Sequence, residues 1–202
     1  MSLSQSKVLD KSSGVLGIVM CGGLSTRMGH DKGLLKRDDN YWAQIIAEKF
    51  KRLNVEYVFS ISPEQEDKYK MTLGENEIFV VDNSIFEGPL NGLWSVHKKF
   101  PQKNLIPIAC DMLHFNEEII AKLAIKLLSH LDYAYFAVPI SNSEKFETFG
   151  ALYSSRGLKT IRIKDAKTNL SMSKILRKGT TLSIENDDLK SFTNYNTPGD
   201  LL

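Results

Sequence analysis

Four short runs in the chain combine residue types and spacings suited to holding a phosphorylated ligand. The first is residues 21–35, CGGLSTRMGHDKGLL. It follows an apolar run and contains Gly22, Gly23, Gly29 and Gly33 together with Ser25, Thr26, Arg27 and Lys32. Adjacent glycines let backbone N–H groups approach phosphate oxygens and form an anion-binding nest. Arg27 adds a planar fork of donors, and Lys32 adds a compact point charge. The run is not a Walker loop, because His30 follows Gly29, and the chain contains no G-x-G-x-x-G fingerprint. These absences disfavour a P-loop kinase and a dinucleotide-dependent dehydrogenase.

The second run is residues 87–93, EGPLNGL, shortly after Asp82. Gly88-Pro89 predicts a tight turn opening a helix with proline at its first position. The third is residues 107–111, PIACD, which ends an apolar strand with a carboxylate. Burying Asp111 there is costly unless it is paired or holds a cation. Mg²⁺ suits such a place, since it commonly uses one or two carboxylates plus substrate phosphates. The fourth is residues 192–201, FTNYNTPGDL. Thr197-Pro198 suits a helix start. Asn194 and Asn196 alternate, so an extended segment would present both on one side.

The elements that must position these runs alternate between strand and helix. Strands are predicted at residues 15–20, 55–61, 77–81, 105–109 and 134–139. Helices are predicted at 41–53, 63–73, 90–100 and 116–131, the last capped by Asn116 with Glu117 and Glu118 in its first turn. Repeated βα units over residues 15–139 imply one domain with a mostly parallel, three-layer Rossmann-like α/β sheet and helices on both faces. Ligands in such sheets bind at the carboxyl ends of the strands. The loops after Met20, Val81 and Ala109 are therefore the expected site. The last third reads as a strand at 149–153, helices at 159–166 and 171–177, and short strands at 180–184 and 192–194. No linker separates it, and residues 140–202 read as a second half packed on the same sheet. Residues 1–14 read as a polar leader before a domain spanning 15–202.

Composition narrows the classes further. The chain has 202 residues, 42% hydrophobic and 25% charged, which is ordinary for a globular protein. A formal charge of +2, with basic pairs dispersed among acids, argues against a nucleic-acid binder. No apolar stretch approaches the ~20 residues of a membrane helix. Two cysteines, Cys21 and Cys110, are too few for a disulfide scaffold and favour a reduced, cytoplasmic setting. In a 3-2-1-4 sheet the two thiols would lie close, and they are expected to be buried and inert. The four histidines lack metal-ligand spacing.

Residues 21–35 resemble the signature of the GT-A-like nucleotidyltransferases, and most closely that of the molybdenum cofactor guanylyltransferases. Gly22, Gly23, Ser25, Arg27, Met28, Gly29, Asp31 and Lys32 match its pattern. Met20 and Cys21 stand for its leucine and alanine. The EGPLNGL run is similar to the family's Gly-Pro-leucine-alanine-Gly-leucine segment, with Asn91 in place of the alanine. Residues 192–201 are similar to its Asn-x-Asn-Thr-Pro-x-Asp-leucine segment. Asp111 is followed by Met112-Leu113, without the family's usual proline.

The resemblance implies transfer of GMP from GTP to the phosphate of molybdopterin or its molybdenum form, releasing pyrophosphate. It implies nucleotide contacts from Met20, Cys21, Gly22, Gly23, Ser25, Lys32, Asp82, Gly88 and Asp111, with Mg²⁺ on Asp111. Lys32 would act on the α-phosphoryl group and leaving pyrophosphate, and Arg27 on the triphosphate or in ordering its loop. Asn194 and Asn196 would face the acceptor. Alternatives are another nucleotidyltransferase, CTP-dependent or acting on a sugar phosphate, and a non-catalytic nucleotide-binding regulator. The expected partners are GTP and molybdopterin, with no nucleic acid or membrane. Transient contact with cofactor-delivering or accepting proteins and a monomer or weak oligomer are also expected.

Overall fold

The computed structural model describes residues 14–22, 31–82, 85–141 and 143–195. In chain order the strands are β1 (Val15–Met20), β2 (Lys36–Arg37), β3 (Asn40–Tyr41), β4 (Glu56–Ile61), β5 (Phe79–Val81), β6 (Asn104–Ala109), β7 (Tyr135–Ala137), β8 (Leu152–Tyr153) and β9 (Thr181–Ser183). The helices are α1 (Trp42–Arg52), α2 (Glu66–Leu73), α3 (Pro89–Lys99), α4 (Glu118–Ser129), α5 (Ser155–Leu158) and α6 (Met172–Lys178). Seven strands form one sheet in the order β5-β4-β1-β6-β8-β7-β9, while β2 and β3 make a separate small hairpin. β5, β4, β1 and β6 are mutually parallel. β8 runs antiparallel between β6 and β7, so the later part of the chain is woven into the same sheet.

β1 explains the layering. Val15 and Val19 face one apolar cluster, and Leu16, Ile18 and Met20 face the other. This is the two-residue period of a strand covered on both sides. On the first face lie Ala43, Ile46, Ala47 and Phe50 of α1, with Ile119, Ile120 and Leu123 of α4. On the second lie Leu90, Leu93 and Val96 of α3, with Ile175 and Leu176 of α6. Both sets recur every three to four residues, which places them on one stripe of each helix. α1 carries Lys49, Lys51 and Arg52 in its last turn, where the helix dipole favours cations. Asn116 Oδ1 accepts from the Glu118 amide at 2.9 Å, fixing the start of α4. Among the described residues, no helix is long and apolar enough to cross a membrane.

Two expected elements in the last third differ. The helix expected at 159–166 is replaced by α5 and a 3-10 turn at Ile163–Thr168. The Ser154 hydroxyl accepts from the Gly157 amide at 3.0 Å, which starts the helix four residues early. The Asp165 carboxylate accepts from the Arg162 amide at 2.7 Å and closes the second, tighter turn. The strand expected at 192–194 is absent, and a 3-10 turn at Leu189–Phe192 precedes an irregular segment. There the Ser191 hydroxyl donates to Asp188 at 2.8 Å. Such local side-chain bonds compete with a sheet ladder.

Candidate active site

The parallel register brings the ends of three strands together. Met20 lies beside Ser60 of β4 and Ala109 of β6. Beyond the ladder, the Cys21 and Gly22 amides both donate to the Ser60 carbonyl, at 2.9 and 3.1 Å. The Cys110 amide donates to the Met20 carbonyl at 3.1 Å. Cys21 and Cys110 thus leave the sheet side by side, as buried free thiols. A hydrogen bond with Cys21, and then burial, push the Cys110 thiol well above its usual range.

Lys32 opens a 3-10 turn, Lys32–Leu34, whose preceding residue Asp31 accepts from the Gly33 amide at 3.1 Å. The other partners of Asp31 come from the region before and within α2. Tyr69 donates its hydroxyl at 2.7 Å and Gln65 its amide at 2.6 Å. Gln65 also donates to the Cys21 carbonyl at 3.1 Å, so one side chain ties the end of β1 to the turn carrying Lys32. The Lys32 ammonium reaches Asp111 Oδ2 at 2.8 Å and the Tyr195 carbonyl at 3.2 Å. The Tyr195 amide in turn donates to the Asp111 carbonyl at 3.0 Å. The Tyr195 ring is buried with Trp42 and Leu113, and stands 5.2 Å from the His114 ring.

Asp111 Oδ1 is buried and has no hydrogen-bond partner among the described residues. An orphaned carboxylate oxygen is expensive inside a protein. Its chemistry fits a hard cation such as Mg²⁺. Among the described residues no group of three acidic, histidine or cysteine side chains could hold a metal by itself. Asp111 therefore fits the mode in which one carboxylate and ligand phosphates share the ion.

A cavity of about 450 Å³ opens at the same sheet edge, bordered by Met20, Gly22, Ser62, Asp82, Gly88 and Asn91. Burial raises the Asp82 carboxyl to about 6, although the Ser60 hydroxyl, donating at 2.9 Å, works against that rise. A Cβ on Gly22 would stand 2.8 Å from Asp82 Oδ2, so only glycine lets this backbone lie so close. Gly88 has φ +60° and ψ −152°, a conformation essentially restricted to glycine, and it turns the chain into Pro89 and α3.

The sequence-derived candidates divide into three groups. Met20, Gly22, Asp82 and Gly88 border the cavity, with Cys21 buried behind them. Lys32 and Asp111 meet at the ends of β1 and β6. Asn194 is exposed, next to the buried Tyr195. Gly23, Ser25, Arg27 and Asn196 lie outside the described residues, as does most of the 1–14 leader. Reading the sequence missed Gln65, Tyr69 and Tyr195. A signal existed for Gln65, because Ser62-x-x-Gln65 has capping-box spacing, and Gln65 Oε1 does accept from the Ser62 amide at 2.8 Å. Tyr69 and Tyr195 act through tertiary contacts that no local pattern encodes.

The sheet alone defines an α/β fold, and the family its sequence matches makes the chain a nucleotidyltransferase. More narrowly, the chain belongs to the MobA-like NTP transferase domain family, whose model matches residues 17–182. It is 25% identical over 190 residues to a probable molybdenum cofactor guanylyltransferase of a Geobacillus species, covering 91% of this chain and 94% of that one. It is also 28% identical over 129 residues to a molybdenum cofactor biosynthesis bifunctional protein of a Synechocystis species. That match covers 60% of this chain and 36% of the longer relative. Among solved structures, molybdopterin-guanine dinucleotide biosynthesis protein A from Archaeoglobus fulgidus superposes with a TM-score of 0.72 at 18% identity, covering 93% and 95% of the two chains.

Proposed function

We propose that this nucleotidyltransferase moves GMP from GTP to the terminal phosphate of molybdopterin or its molybdenum form, with release of pyrophosphate. The observation that carries the reading is the Lys32–Asp111 pair, 2.8 Å apart, with the second Asp111 oxygen unpartnered among the described residues. The named relatives supply the choice of substrates.

The acceptor phosphate is already anionic and needs little help from a general base. The protein's task is to align it with the α-phosphorus and to stabilise charge that builds on the leaving pyrophosphate. The Lys32 ammonium contributes donors at the strand ends, while the Gly22 amide stays bonded to the Ser60 carbonyl and the glycine's role there is close approach. On nucleotide binding the Lys32 ammonium exchanges the Asp111 oxygen for phosphate oxygens. Asp111 would hold Mg²⁺, which when bound supplies Lewis-acid stabilisation to the phosphates. Asp82 and Gly88 border the space for the base. Asn194 would meet the acceptor.

The direct test offers GTP or CTP with molybdopterin to the intact protein, with and without Mg²⁺, and follows pyrophosphate release. Mg²⁺-dependent release with GTP is expected. Release with CTP instead overturns the base assignment. Binding of Mg-GTP without transfer overturns catalysis and favours a regulator.

A further inference from the structure

We infer that the side-chain amide of Asn91 is a base-reading donor in the nucleotide cavity, bonding the 6-oxo group of guanine and selecting against adenine and cytosine. The inference rests on the function proposed above and adds to it a specificity-determining residue.

Asn91 lies in the first turn of α3, borders the cavity and is 8% exposed. Its Oδ1 accepts from the Ile85 amide at 3.0 Å and from the Phe86 amide at 3.2 Å. A backbone N–H can meet only an acceptor, so these two bonds settle which end of the carboxamide faces the 85–86 loop. The NH₂ end is left over. It has no hydrogen-bond partner among the described residues, and it is not among the fully enclosed unpartnered atoms. A nearly buried amide that retains unused donors beside a cavity calls for an acceptor on a ligand.

The neighbouring carboxylate makes the pattern specific. A Cβ built on Gly92, the next residue of α3, would lie 3.4 Å from Asp82 Oδ1, so Asp82 and this turn of the helix form one wall. An ionised Asp82 only accepts hydrogen bonds, and the Asn91 NH₂ only donates. Guanine offers the matching edge, with O6 as acceptor and N1–H and the 2-amino group as donors. Adenine and cytosine present an amino donor where guanine has O6 and an acceptor where it has N1–H. A site built from such groups rejects the wrong base because its own polar atoms are then left unpaired.

The alternative is that Asn91 merely anchors the 85–86 loop. Asn91→Asp separates the two roles, since it keeps an acceptor for both loop amides and replaces the NH₂ by a charged acceptor, whose repulsion of the phosphates is common to all four nucleotides and cancels in the GTP-to-ATP ratio. Equilibrium binding of the Mg²⁺ complexes of GTP, ITP, ATP and CTP is measured on the intact protein and the variant, with thermal melting as the check on folding. Wild type is expected to favour GTP and ITP over ATP and CTP. Asn91→Asp should weaken GTP about tenfold or more, the scale of one well-made contact to a base edge, and narrow or invert the GTP-to-ATP ratio. Should that variant melt early, Asn91→Ala removes the donor without adding charge and should narrow the ratio without inverting or abolishing it, because the resembled family carries alanine here and the rest of the cavity keeps part of the preference. A wild type that prefers GTP while the folded variants keep its GTP-to-ATP ratio overturns this inference alone. A wild type that prefers CTP, or binds no nucleotide, overturns the proposed function along with it.

Discussion

Gly33 is packed so tightly beneath Tyr69 that a Cβ built on it would overlap the tyrosine hydroxyl. That hydroxyl is also a partner of Asp31, so α2 presses directly on the turn that presents Lys32. Gly33→Ala is expected to destabilise the protein by about 1–3 kcal/mol, the usual cost of overpacking. Turnover should fall as well, because Lys32 is displaced. Tyr69→Phe removes the clashing oxygen, so the double variant should be less destabilised than the sum of the singles. Denaturant titration of the four proteins measures that coupling. Strict additivity would contradict the contact.

Lys32→Ala should lower turnover by roughly 10²–10³, the effect of deleting one preorganised donor. Asp111→Asn should remove the Mg²⁺ dependence of nucleotide binding together with activity. Steady-state kinetics and Mn²⁺ titration in the presence of GTP test the two residues separately. Near-normal turnover in a folded Lys32→Ala protein would refute the assigned role.

Asp82 predicts a pH dependence. Its folded-state value of about 6 lies above the ordinary 3.8. The folded protein therefore binds this proton more tightly than the unfolded chain does. At neutral pH the buried carboxylate costs stability, and the cost disappears as pH falls through about 6 towards 4. Asp82→Asn should stabilise the fold at pH 7 by on the order of 1–3 kcal/mol and lose that advantage near pH 4. The same group should weaken GTP binding in wild type as pH drops below about 6, since a protonated carboxyl is a poorer acceptor. Melting curves between about pH 4 and 8 and binding isotherms over the same range, at roughly half-unit steps, read both effects. A wild-type affinity that is flat across that window would exclude Asp82 from the base contact.

The paired thiols should be chemically silent. Cys21 and Cys110 are both buried, and the Cys110 thiol is pushed away from its reactive thiolate form. Iodoacetamide should modify neither in the native protein and both in denaturant, as read by mass spectrometry. Rapid native modification of Cys110 would contradict the packing at the strand ends.

The first two-thirds of the fold was legible because its information is local. Residues 15–20 and 105–109 are short apolar runs of the length that a strand covered on both faces takes, and α1 and α4 carry helical stripes. The placement of the candidate Asp111 just beyond β6 was legible, because a carboxylate closing an apolar strand is unusual. Elsewhere the deciding contacts join distant positions. Tyr69 meets Asp31 across 38 residues. The placement of β8 between β6 and β7 follows from sheet pairing rather than from anything in its own two residues. In the last third, Ser154, Asp165 and Ser191 set short turns through side-chain bonds that a hydrophobic pattern does not register.

The bond from Lys32 to the Tyr195 carbonyl spans 163 residues of chain. Closing a loop on that scale costs somewhat more chain entropy than the nearer strand pairings. β1, β4 and β6 can pair while Lys32 still lacks its contact with the Tyr195 carbonyl. A chain cut before Tyr195 would therefore keep the β1, β4 and β6 pairings while losing the brace that Tyr195 lays across Lys32 and Asp111.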